Sequence, residues 1–124
     1  MKLKYTSIYS DADGVSHFKD AEMELNEAVI IPNTSPVNIS AFFPAIACAF
    51  LTGSPGQFIN WHKPEQRQFI IWLAGHTEIC TSDSDTRTFG PGDFLLAEET
   101  TGKGHTGQLD SSVSVVNLVI QLAN

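Results

Sequence analysis

Two short stretches hold most of the residues in this chain that could do chemistry. One is Trp61-His62-Lys63-Pro64 with Gln68 a few residues on; the other is Glu98-Glu99-Thr100-Thr101-Gly102-Lys103-Gly104-His105. A lysine between glycines invites comparison with a phosphate-binding loop, which needs G-x-x-x-x-G-K-[ST]. Counting back from Gly102-Lys103, the first glycine position is Ala97 and the hydroxyl position is Gly104, so the pattern fails at both ends. The two imidazoles, His62 and His105, are suited to iron, zinc, nickel or copper, whereas the Gln68 amide is a weak ligand for those ions. Glu98 and Glu99 could supply a general base, but adjacent strand residues face opposite sides, so at most one enters a shared cavity. Lys103 is either a solvated loop cation or a hold for an anionic substrate at a cavity mouth.

Other chemistries find less support. Asp11/Asp13 and Asp83/Asp85 look like calcium ligands, but neither pair continues into an EF-hand loop with glycine at the sixth position. They read as turn formers. No G-x-S-x-G elbow is present, and neither Cys48 nor Cys80 is flanked by activating cations or histidines. Both cysteines read as buried small hydrophobes of a reducing compartment, with a disulfide left open. His76 follows Gly75 at a hairpin and reads as an exposed turn residue; His17 is assigned no role.

The elements that must position these residues are short strands. Ala21, Met23 and Leu25 alternate with Glu22 and Glu24, and Val37, Ile39 and Ala41 alternate with Asn38 and Ser40, as half-buried strands do. Pro32 to Pro36, Thr52 to Gly56, Thr81 to Asp85 and Gly90 to Asp93 are turn-forming punctuation between such runs. Segment 17–26 has some helical character, but its period of two predicts a strand. In 68–73, Gln68, Ile70 and Trp72 share one face and Phe69, Ile71 and Leu73 the other. Gln68 is then either a satisfied core amide or part of a pocket wall. The run 112–122 shifts phase from Val113 and Val115 to Val116, Leu118, Ile120 and Leu122, which a bulge or burial on both faces would explain.

A chain of 124 residues is the size of one domain, and a single domain over 1–124 is expected. A formal net charge of −7 opposes a nucleic-acid or anionic-membrane surface, which needs clustered cations. The N-terminal MKLKYTSIYSDADG lacks the apolar stretch of a secretory signal, and the longest apolar run, 41–51, is interrupted by Pro44. A cytoplasmic protein with a small-molecule partner is expected, with no nucleic acid and no membrane.

From Phe58 to His105 the chain resembles the cupin superfamily. The first cupin motif is a His-x-His pair, a Glu and a Gly; anchored on Gly75, it aligns His62 with the first His, Pro64 with the second and Gln68 with the Glu. The second motif centres on Gly-Pro-Gly-Asp at 90–93 and ends at His105, about two residues beyond the usual spacing. Glu98 aligns with the proline where that motif's strand ends. The resemblance implies an all-β fold, a double-stranded β-helix or jelly-roll barrel, usually homodimeric, with a divalent metal (Fe, Ni, Zn, Cu or Mn) held by three His and one Glu. Here His62, Gln68 and His105 are what remains of that metal site, with Glu98 as a compensating carboxylate.

Two functions follow as expectations. In the first, a metal-dependent enzyme (an oxygenase, isomerase or lyase) acts on a small, anionic organic substrate, with Glu98 and Lys103 as catalytic candidates and Trp61 and Trp72 as substrate-binding ones. In the second, the cavity has no metal and binds a small molecule without chemistry, as a sensor does. Fold resemblance decides neither.

Overall fold

The computed structural model describes residues 1–124. Its twelve strands are β1 (Lys2–Ser10), β2 (Ser16–Glu24), β3 (Asn26–Ala28), β4 (Val37–Ile39), β5 (Ala45–Gly53), β6 (Phe58–His62), β7 (Gln68–Ala74), β8 (Thr77–Thr81), β9 (Thr86–Phe89), β10 (Phe94–Ala97), β11 (His105–Leu109) and β12 (Val115–Leu122). Six form one sheet in the order β2-β1-β10-β7-β12-β5, four form a second in the order β6-β11-β8-β9, and β3 pairs with β4. The alternating pattern after Ser16 thus forms a strand, as its period of two predicts.

Apolar residues from both sheets meet between them. Ile8, Trp72, Leu95 and Val115 come from the larger sheet, and Ile79, Phe89 and Leu109 from the smaller. This is the jelly-roll barrel that the resemblance implies. A second cluster, Phe69, Leu96 and Leu122, lies on the outer face of the larger sheet, where Phe43 meets Phe69 edge-on at 5.1 Å. Strand β7 is therefore apolar on both faces because both are covered, as in any strand central to a layered fold.

Of the two expected causes of the phase shift in the last strand, burial on both faces is the one the structure has. The register shift between Val116 and Asn117 puts the extra residue, Leu73, on β7, and β12 itself alternates without a break. Val115, Asn117 and Val119 face the interior, while Ile120 and Leu122 pack on the outer cluster.

The cysteines depart from expectation. Cys48 is exposed on β5, Cys80 is half-buried, and both are free thiols. β5 is an edge strand of its sheet, so its outer side has no neighbouring strand to cover it, and Ile46, Phe50 and Leu51 are exposed with Cys48. No helix is long and apolar enough to cross a membrane.

Candidate functional site

The site begins with an irregularity in β6. His62 pairs with His105 across β6 and β11, but the next pair inward is Ile59 with Gly107. Three steps on β6 thus match two on β11, which is a bulge. In plain alternation Ile59 and His62 would face opposite sides; the extra residue turns both toward the interior, where both line the same cavity. Local bonds hold the bulge: the Trp61 backbone N–H donates to Asn60 Oδ1 at 2.8 Å, and His62 Nδ1 donates to the Asn60 carbonyl at 2.8 Å. A carbonyl only accepts, so the proton sits on Nδ1, and in the neutral ring Nε2 is the acceptor. His62 keeps part of its surface in solvent, yet burial of the ring lowers its pKa, with the neighbouring His105 adding to the effect.

His105 arrives from the other side. After Leu95 and Ala97, alternation along β10 continues to Glu99, and all three side chains are fully buried. Glu99 Oε2 accepts a hydrogen bond from His105 Nδ1 at 2.8 Å, and His105 is itself 4% exposed. The other carboxylate oxygen, Oε1, is buried without a protein partner. Chain reversal between Glu99 and His105 depends on two glycines in the left-handed region, Gly102 (φ 76) and Gly104 (φ 79). A Cβ at Gly102 would run into the Gly14 carbonyl, and one at Gly104 into that of His62. Only glycine meets both demands. Ser16 Oγ donates to the Gly104 carbonyl at 2.6 Å and Ser10 Oγ to that of Thr101 at 2.9 Å, which fastens the loop to the β1–β2 hairpin.

Between the sheets lies a cavity of about 440 Å³, lined by residues of β5, β6, β7, β8, β11 and β12. Its polar groups include His62, His105, Gln68 and Asn117. Trp72 forms part of the wall, its Nε1 donating to Thr77 Oγ1 at 3.0 Å and its ring stacked on Phe89 at 4.9 Å. The His62 and His105 rings approach to 4.4 Å between centroids in a T-shaped arrangement.

The fold therefore brings together His62, Gln68, Trp72 and His105. It does not bring Trp61, Lys103 or Glu98 to the cavity. The Lys103 ammonium lies 4.1 Å from the centre of the Trp61 ring, outside the lining, so each occupies the other. Glu98 faces away from the interior and accepts from Arg67 Nε at 2.7 Å. The carboxylate at the site is Glu99, and strand alternation counted from Leu95 would have found it.

No family model matches the chain, and no curated protein sequence does. Among the solved structures that share its architecture are two that each cover 82% of this chain. The DMSP lyase DddQ from Ruegeria pomeroyi DSS-3 superposes with a TM-score of 0.55 at 19% identity, covering 82% of this chain and 48% of its own. A cupin domain, bp2299, from Bordetella pertussis Tohama I superposes with a TM-score of 0.51 at 15% identity, covering 82% of this chain and 96% of its own. The chain has the cupin fold. It spans about half the length of the lyase, and at these identities the likeness is one of cupin architecture alone.

The metal that the cupin resemblance implies can be tested against the donors. No three His, Cys, Asp or Glu side chains converge on one point. His62 and His105 offer two ring nitrogens and Gln68 an amide, Pro64 offers nothing, and Glu99 spends Oε2 behind His105. Catalytic zinc sites use three protein ligands even with one position open. The residues present do not fit a tightly held resident metal.

Proposed function

We propose that the protein is a cupin barrel that binds a small organic molecule between its sheets and needs no resident metal to do so. One observation carries this reading: a cavity of about 440 Å³ with largely apolar walls, lined among others by His62, Gln68 and His105. Ligand pockets run from roughly 300 to 1,000 Å³ and combine apolar walls with a few placed polar groups. The alternative, a metal-dependent oxygenase, isomerase or lyase, needs a further donor beyond the two imidazoles.

Elemental analysis of chelator-free, untagged protein beside its His105→Ala variant separates the two. The expected result is far less than one equivalent of iron, nickel, zinc, copper or manganese. Near-stoichiometric metal that vanishes in His105→Ala would overturn the metal-free reading and direct substrate screens to metal-dependent chemistry.

A further inference from the structure

The chemistry of the cavity's polar end points to the kind of molecule it holds. Both imidazoles are committed at Nδ1, His62 to a backbone carbonyl and His105 to the Glu99 carboxylate. Neither Nε2 has a partner in the protein, and both rings line the cavity. In neutral imidazole a protonated Nδ1 leaves Nε2 as a lone-pair acceptor.

No Lys or Arg lines the cavity. Of the nearby cations, Lys103 lies on the Trp61 ring and Arg67 on Glu98, and Lys63, next to His62, is exposed and outside the lining. The carboxyl group nearest the polar end is that of fully buried Glu99, in contact with His105, and its second oxygen lacks a partner. A carboxylate ligand entering here would shed its water without meeting a fixed cation, a costly exchange. A hydroxyl or ammonium would meet ring nitrogens able to accept from it, with the Glu99 carboxyl group behind one of them.

We propose that the cavity takes a ligand whose apolar body ends in a hydrogen-bond donor, a hydroxyl or an ammonium, bound by Nε2 of His62 and His105, and that it disfavours carboxylate-ended ligands. This rests on the small-molecule reading above and reverses the anionic substrate expected from Lys103. Ile59, Ile70, Ile79 and Trp72 would enclose the apolar body.

The test uses four probes of one size on the full chain at about pH 8, where an ordinary imidazole is neutral: benzyl alcohol, benzylamine, benzoate and toluene. Binding is followed by NMR through the ring nitrogens of His62 and His105 and the Trp72 indole N–H. Benzyl alcohol and benzylamine are expected to bind at least about tenfold more tightly than benzoate or toluene and to move the Nε2 resonances. His62→Phe, at the partly solvated end of the cavity, is expected to keep toluene binding and lose the preference for a donor. Glu99→Gln is expected to weaken benzylamine more than benzyl alcohol. Benzoate or toluene binding as tightly as the alcohol overturns the donor-end inference while the pocket stands. If no probe binds, toluene included, the pocket reading falls together with the inference.

Discussion

His62 and His105 sit directly opposite each other on β6 and β11, with ring centroids 4.4 Å apart, and a bulge in β6 turns His62 to the same interior as His105. They lie 43 positions apart in sequence, and neighbouring strand pairing makes them one site. Behind His105 the buried Glu99 fixes its ring, and behind His62 the bulge's own carbonyl does the same. Such backing is how proteins set which imidazole nitrogen faces a partner.

The first prediction contrasts the two adjacent glutamates. Glu99→Ala leaves the buried His105 Nδ1–H without an acceptor, a loss of about 1–3 kcal/mol. Glu98→Ala breaks a partly exposed pair with Arg67, for which about 0–1 kcal/mol is expected. Urea unfolding of both variants measures the difference. Equal losses would mean that Glu99 is not the buried partner of His105.

A second contrast concerns glycine. Gly104 and Gly92 both have φ in the left-handed region, but a Cβ at Gly104 meets the His62 carbonyl while one at Gly92 meets nothing within 4 Å. Gly92→Ala should cost only the conformational penalty, about 1–2 kcal/mol. Gly104→Ala should cost more, because the backbone of His62 must move, and it should also disturb the His62 and His105 ring resonances. Matching melting temperatures for the two variants would refute the close contact.

Most of the architecture was legible in the sequence, and the reasons are local. Alternation marked Gln68, Ile70 and Trp72 as one face of β7, and that face lines the cavity. The resemblance paired His62 with His105 and implied the barrel. Three features escaped. The β6 bulge left no signature in composition, so Trp61 and His62 could both be taken as inward when only His62 is. The cupin alignment points to Glu98, whereas counting by twos from Leu95 leads to Glu99, the buried partner of His105. Cys48 lies in an apolar run that reads as core, yet β5 is an unpaired edge, and edge position is a property of the assembled sheet.

That edge leads to a third prediction. Phe50, Ile46 and Leu51 are 72%, 56% and 48% exposed on β5, and the adjoining Phe42 is 89% exposed. Soluble proteins rarely leave a long apolar edge strand open to pairing. We infer that a second copy of the chain covers it, in keeping with the homodimer implied by the cupin resemblance. Light scattering at micromolar concentration should give twice the mass of 13.5 kDa, and Phe50→Asp should give a monomer. A monomeric unsubstituted chain would remove the inference.

The last prediction concerns His17, whose two ring nitrogens both face carboxylates: Nε2 lies 2.7 Å from Asp11 Oδ2 and Nδ1 lies 2.9 Å from Asp83 Oδ2. Carboxylates only accept when ionised, so the arrangement is fully satisfied by the imidazolium. The Asp11 hydrogen bond raises the His17 pKa, outweighing desolvation, and Asp83 adds to it. The same bond lowers Asp11, helped by the Val15 backbone. For Asp83, desolvation raises the pKa, but hydrogen bonds from Thr81, the Asp85 backbone and His17 prevail and lower it. The signs give a window. A raised histidine pKa contributes stability that is complete below its unfolded value of 6.5 and is lost as pH rises through the folded value. Lowered aspartate pKa values contribute stability that is present above their unfolded value of 3.8 and is lost as pH falls through the folded values. The clamp should therefore be strongest between about pH 4 and 6.5. It joins the β1–β2 turn to the β8–β9 turn, and Ser16 carries that hairpin on to the Gly104 carbonyl beside His105. His17→Ala should flatten the pH dependence of the melting temperature across the upper edge of this window, with little change at pH 9. An unchanged profile in His17→Ala would show that the clamp contributes nothing, and equal destabilisation at pH 5 and pH 9 would show that His17 acts through packing on Tyr9 and not through charge.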